Sequence, residues 1–207
     1  MESSRATNWN VFGVSFLRGW AFTGTASVVT ATLCSFAWTL HGGGLAGWSS
    51  VVRTSAKTSL LLFLAAFVAS SARALWRTPF TAWLLANRRY VGVAFAASHA
   101  IHLVGILEVV RLSPSFSRSV TTLVFGGFGY VVLFAMAATS FDAAVARLGR
   151  QRWQRLHKFG MYYLAVIFAL SYVPRALVES AWYWLLAGPL FAAFALRAFA
   201  WQRQRRR

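Results

Sequence analysis

The stretch Leu148-Gly149-Arg150-Gln151-Arg152-Trp153-Gln154-Arg155-Leu156-His157-Lys158-Phe159-Gly160-Met161-Tyr162-Tyr163 changes character at its middle. Arginines crowd the approach to His157, with Arg147 just ahead of the stretch, and beyond it the sequence runs apolar as far as Val173. Basic residues followed by a long apolar run are how a chain enters a lipid bilayer. The histidine stands where such a helix would leave the polar headgroups.

Working outward, the same alternation recurs along all 207 residues, 58% of which are hydrophobic, with four acidic residues against 21 basic ones. Apolar runs read as spans at Gly19–Leu40, 58–76, 90–110, 120–140, 156–173 and 181–201. Each has about the 20 residues that a helix needs to cross a hydrocarbon core roughly 30 Å thick. In lipid only an intrahelical ladder satisfies the backbone of such segments, so they must be helical. The predicted fold is therefore all-α: one domain over 1–207, a polytopic bundle of six transmembrane helices. The first span is too long and too aromatic for a signal-peptide core and is expected to be retained. Residues 1–18 are mixed in character and suit an interfacial segment.

A net charge of +17 invites a nucleic-acid reading. The arginines, however, lie between the apolar runs instead of forming one folded basic surface, so nucleic acid is excluded as a partner. In a six-span arrangement sixteen of the 21 Lys and Arg fall on one side, and only Arg53, Lys57, Arg111, Arg118 and Arg175 on the other. By the positive-inside rule both termini are cytoplasmic. Cys34 is the single cysteine, so no disulfide forms within the chain. Gly126-Gly127-Phe128-Gly129 offers small residues for close helix packing. Pro174 is expected to help end the fifth span and Pro189 to kink the sixth.

An ionisable side chain inside a membrane helix is costly and marks a candidate site. His99 and His102 share the third span at i and i+3, and His102 lies about 18 Å in from Tyr90. His157 opens the fifth span and His41 follows the first. The acids form no catalytic or hard-metal pair, and Glu108 is placed to pair with Arg111. No zinc-protease, Walker or dinucleotide motif occurs. Imidazoles on the helices of an apolar bundle are what haem iron takes as axial ligands, which makes b-type haem the natural cofactor.

Two stretches carry a resemblance. Asn87-Arg88-Arg89-Tyr90-Val91-Gly92, followed by an apolar run to His102-Leu103, resembles the third-helix motif of the ferric-reductase-like transmembrane family. Ala138-Thr139-Ser140-Phe141-Asp142, Arg147-Leu148-Gly149, Trp153-Gln154-Arg155-Leu156-His157 and Tyr162-Tyr163-Leu164 follow the pattern of one branch. That branch comprises the haem-binding membrane subunits of bacterial periplasmic methionine sulfoxide reductase systems. The resemblance implies a haem b-binding subunit of the bacterial inner membrane. It would pass electrons from quinol or a cytosolic flavin reductase to a periplasmic or membrane acceptor reductase, with FMN or quinone as further cofactor candidates. Carried over, His102 matches the third-helix iron ligand and His157 the first ligand of the fifth helix. His99, Arg88 and Arg89 complete the candidate cofactor-binding set, the arginines as partners for propionates or a flavin phosphate.

The chain departs from the pattern twice. The second fifth-helix histidine is expected near Leu170, beside Ser171 and Tyr172, and a further third-helix ligand fourteen residues before His102, where Arg88 stands. His102 and His157 differ in depth by roughly 15 Å or more, too far to share one iron. An outer haem held by His102 with Tyr172, His99 or His41, an inner haem held by His157 with Met136, and a haem-less scaffold all remain open. The chain has six residues beyond the last span, so electrons are expected to come from quinol or a separate protein. A transporter reading lacks paired broken helices and buried acids.

Overall fold

The computed structural model describes residues 8–11, 14–113 and 120–206, with side chains from residue 17 onward. The chain opens with a short antiparallel hairpin, β1 (Asn8–Val11) and β2 (Val14–Leu17), pairing Asn8 with Leu17. Everything else is helical: α1 (Gly19–Leu40), α2 (Gly44–Leu75), α3 (Pro79–Leu112), α4 (Val120–Ala138), the short α5 (Asp142–Leu148), α6 (Arg150–Val178), one 3-10 turn (Ala181–Tyr183) and α7 (Trp184–Arg205). Six of these are long and apolar enough to cross a membrane, as the apolar runs predict. The remaining parts of the expected interfacial segment, with Glu2 and Arg5, lie outside the described residues, as does Arg118.

α1 coincides with its apolar run and α4 stops at Ala138, two residues short of its expected end, but three helices are longer than their runs. α2 begins at Gly44, not near 58, and carries Arg53 and Lys57 inside it. α3 begins at Pro79 instead of Tyr90, and α6 already at Arg150. Hydropathy marks the length in contact with hydrocarbon, whereas the helical ladder continues through the headgroup layer, where charged side chains remain solvated. Pro174 does not end α6, which continues to Val178. The helix stops a turn later, where Glu179 and Ser180 both donate their backbone N–H to the Arg175 carbonyl, at 2.9 and 3.1 Å.

Turns are tight. Gly42, Gly43 and Gly44 all have positive φ and reverse the chain between α1 and α2. A Cβ at Gly43 would meet the Trp38 ring at 3.0 Å, so a larger residue is excluded there. Only Trp76, Arg77 and Thr78 separate α2 from α3. Thr78 caps α3, its hydroxyl accepting from the Thr81 backbone at 3.2 Å while the Thr81 hydroxyl accepts from the Thr78 N–H, and Pro79 starts the helix.

The resulting α2–α3 pair is the spine of the bundle. Small polar residues line its seam: Ser98 of α3 bonds both Ser59 (2.9 Å) and Thr58 (3.0 Å) of α2. A Cβ on Gly105 would sit 3.0 Å from Val52, so glycine lets the two helices approach there. Phe63 and Phe67 of α2, Phe95 of α3 and Phe168 of α6 form the aromatic centre, with Phe63 5.1–5.5 Å from each of the other three. The exterior is the reverse of a soluble protein's, with Val178, Leu185 and Val120 at 75% exposure or more. Of the glycine cluster in α4, only Gly129 makes a close packing contact, facing Tyr163 and Leu164 of α6; Gly126 and Gly127 face open space among the described residues. An unforeseen closer approach is Gly160 of α6, where Met136 and Val132 of α4 take up the space of a side chain.

Alternation of the six helices brings the basic ends together. Trp20 of α1 stacks on Phe141 (5.4 Å) and packs edge-on to Tyr90, and Arg89 pairs with Asp142 at the start of α5.

Candidate functional site

His102 is held on the seam of the α2–α3 spine. Its Nδ1 lies 3.0 Å from the Val52 carbonyl and 3.1 Å from Ser55 Oγ. A carbonyl can only accept, and the Ser55 hydroxyl gives its proton to the Val51 carbonyl at 2.6 Å. Both neighbours of Nδ1 are therefore acceptors, so Nδ1 carries the proton and Nε2 the lone pair. A proton on one ring nitrogen fixed by a backbone carbonyl is how metal-ligating histidines are oriented.

His99, one turn earlier, stacks on His102 with ring centroids 4.9 Å apart and on Tyr130 of α4 at 5.1 Å. Phe95 and Phe168 close around it at 5.5 and 5.8 Å. Three polar atoms in this half of the bundle have no hydrogen-bond partner among the described residues: His99 Nδ1, Tyr130 Oη and Tyr172 Oη. Buried polar groups are nearly always paired, so these three atoms have room to meet a bound water or ligand.

At the depth where the resemblance places a further histidine, Leu170 points outward at 63% exposure. The inward residue is Tyr172, 4% exposed, stacked parallel on Phe168 at 6.4 Å. His102 lies within electrostatic reach of Arg175, near the C-terminal end of α6.

His157 belongs to the opposite end, within electrostatic reach of Arg88. Arg88 and His102 are fourteen residues apart on α3, about 21 Å along the axis, so the structure does not bring the two histidines together. His157 Nε2 lies 3.2 Å from Thr139 Oγ1, and its ring packs on Trp153 at 4.3 Å. Thr139 gives its proton to the Ala135 carbonyl (2.7 Å) and so accepts from His157, which puts the proton on Nε2. The two histidines thus have opposite tautomers. Met136 is level with His157, but its sulfur fills the space above Gly160. Trp153 Nε1 donates to the Thr139 carbonyl at 2.9 Å, so much of the quoted motif around Thr139 forms a clasp between α4 and α6.

The two candidate arginines diverge. Arg88 turns inward, its Nε donating to the Ala66 carbonyl of α2 at 3.0 Å. Arg89 turns to Asp142 and to the Tyr90 hydroxyl (3.0 Å). His41 caps α1 by donating to the Ala37 carbonyl at 2.8 Å and is exposed. Sequence reasoning passed over Arg197 of α7, whose guanidinium donates to the Phe67 carbonyl at 2.5 Å and lies over the Phe67 and Tyr162 rings. An arginine within the sixth apolar run was the available signal. Asn87 was also missed as a structural residue. It is 2% exposed, accepts from the Gly19 N–H and donates to the Trp83 carbonyl, both at 2.9 Å, fastening the start of α1 to α3.

The donor set fits haem iron on one side: His102 offers a lone pair with its ring already oriented. The other histidine at this level, His99, lies on the same helix and stacks on His102, and the unpartnered oxygens there among the described residues are the hydroxyls of Tyr130 and Tyr172.

A protein-methionine-sulfoxide reductase heme-binding subunit, MsrQ, from Rhodospirillum rubrum is 28% identical over 193 residues, 88% of this chain and 91% of that protein. The chain stands close to MsrQ. The MsrQ of Cronobacter sakazakii is 33% identical over 123 residues, which span 56% of the chain and only 59% of that relative. The MsrQ of Polaromonas naphthalenivorans is 27% identical over 171 residues, 75% of the chain and 69% of that protein. No protein-family model and no solved structure matches. Likeness to MsrQ along most of the length, with six apolar helices, makes this a multi-pass membrane protein.

Proposed function

We propose that the chain is a haem b-binding electron-transfer subunit of the bacterial inner membrane, with both termini cytoplasmic. In this reading it passes electrons from quinol or a cytosolic flavin donor to a periplasmic or membrane acceptor reductase. The observation that carries the reading is the fixed tautomer of His102: Val52 and Ser55 hold the proton on Nδ1 and aim Nε2 as a donor. The relatives are heme-binding subunits, which supports the same cofactor.

Bound haem would supply a one-electron carrier in the apolar interior. His102 would hold its iron from α3 and Tyr172 would face it from α6, since the Tyr172 hydroxyl is buried and unpartnered among the described residues. Phe168, Phe95 and Phe63 exclude water from that level. At the basic end His157 is the second candidate ligand, and Arg88 the inward cation that would meet a propionate, a flavin phosphate or a quinone oxygen. Ligation through His157 Nε2 requires Thr139 to release it, so this end is the less prepared of the two.

The test is the absorption spectrum of the detergent-purified full chain, expressed with ample haem supply. The expected result is a Soret band and a reduced-state α band, strongly weakened by His102→Ala and shifted by Tyr172→Phe. One observation favours a second reading, a membrane scaffold that keeps the fold without haem: Leu170 faces outward where a histidine is expected, and aromatic rings pack around His99. A colourless protein with unaltered folding would establish that reading and overturn the first.

A further inference from the structure

Between the last turns of α2 and α7 lies a cavity of about 440 Å³, lined among others by Ser70, Arg73, Arg77, Arg203 and Gln204. It is separate from the histidines and from Arg88, and its chemistry does not depend on haem. Three guanidinium groups converge on it. Among the described residues all three carboxylates are engaged elsewhere: Asp142 with Arg89, Glu108 with Arg111, and Glu179 with Arg175. None lines the cavity.

Two helix C-termini also point here, since α2 ends at Leu75 and α7 at Arg205. Each carries about half a negative charge, which offsets roughly one of the three positive ones. Arg73 spends one N–H on the Thr78 carbonyl at 3.1 Å. A net charge of about +2 is left facing a cavity within the size range of ligand sites. Concentrated positive charge with flat, forked donors suits phosphate oxygens.

The setting selects the source of that phosphate. Trp76 and Trp201, each next in sequence to a residue that lines the cavity, are 53% exposed, and Phe199 on the same end of α7 is 57% exposed. Exposed tryptophan at the end of an apolar helix marks the headgroup level of a bilayer, and basic pockets between helices at that level suit anionic lipid headgroups. We propose that this cavity binds a doubly charged phosphate headgroup, that of a phospholipid with two phosphodiesters from the surrounding leaflet.

The test is native mass spectrometry of the full chain released from detergent micelles supplemented with diphosphatidylglycerol, with phosphatidylcholine, or with inorganic phosphate alone. Wild type should retain one diphosphatidylglycerol. The triple variant R73Q/R77Q/R203Q should lose occupancy by on the order of tenfold or more. The matched variant R147Q/R150Q/R152Q, which removes three exposed charges from the same end of the bundle, should keep it. If the triple variant is not monodisperse, R203Q alone, in the exposed last turn of α7, should lower occupancy several-fold. The proposal is overturned by equal occupancy in wild type and the cavity variants, by equal loss in the matched variant, or by phosphatidylcholine retained as well as diphosphatidylglycerol. Inorganic phosphate held in place of the lipid would also overturn it, assigning the site to a soluble anion.

Discussion

Gly160 offers a sharp test of how the bundle is packed around His157. A methyl group there would be placed against Met136 Sδ and 2.9 Å from Val132 Cγ1, well inside van der Waals contact. Gly160→Ala should gain about 1 kcal/mol from helix propensity and lose about 1–3 kcal/mol to overpacking. Gly92→Ala, within α3 and with no atom within 4 Å of the added carbon, takes the same propensity gain without the clash. The difference between the two variants therefore isolates the steric cost, about 1–3 kcal/mol. Titration of mixed micelles with a denaturing detergent, followed by far-UV circular dichroism, measures both. Met136→Ala closes the cycle: in that background Gly160→Ala should cost less, because the sulfur it meets is gone. Gly160→Ala as stable as Gly92→Ala, or an unchanged cost in the Met136→Ala background, would refute the close contact of α4 with α6.

Other consequences are as direct. Asn87→Leu leaves the Gly19 N–H without its partner and should cost about 2 kcal/mol, with faster proteolysis ahead of α1. Ser98→Ala removes bonds to both Thr58 and Ser59; at about 0.6 kcal/mol for each interhelical bond it should cost only about 1 kcal/mol in the same titration. Thr139→Val keeps the shape but removes the acceptor of the His157 N–H, so nitrogen NMR of the imidazole should show the proton moving from Nε2 toward Nδ1 while the His102 signals stay in place.

Number and order of the membrane helices were legible because hydropathy and charge alternate along the chain with a single period. The ends of α2, α3 and α6 were not. Arg53, Lys57 and the arginines from Arg150 to Arg155 lie inside helices, since a charge leaves hydrocarbon long before the backbone leaves its ladder. His102 stood out as a candidate by residue type and depth. Its holders were not, because Val52 and Ser55 depend on how α2 is rotated against α3, which a linear pattern does not record. The same rotation decides that Tyr172 and not Leu170 faces inward. Asn87 and Thr139 read as parts of a cofactor motif and prove to be fasteners between helices.

The α2–α3 spine also bears on how the chain is made. Its two helices are joined by three residues, and the hydroxyls of Ser55, Thr58, Ser59 and Ser98 along its seam are satisfied by the pair itself. Hydroxyls and imidazoles entering lipid singly would each carry the cost of an unmet hydrogen bond. A nascent chain therefore gains by inserting α2 and α3 as one hairpin, with the His102 ring already turned. Orientation of the His102 ring is thus complete before α6 has left the ribosome.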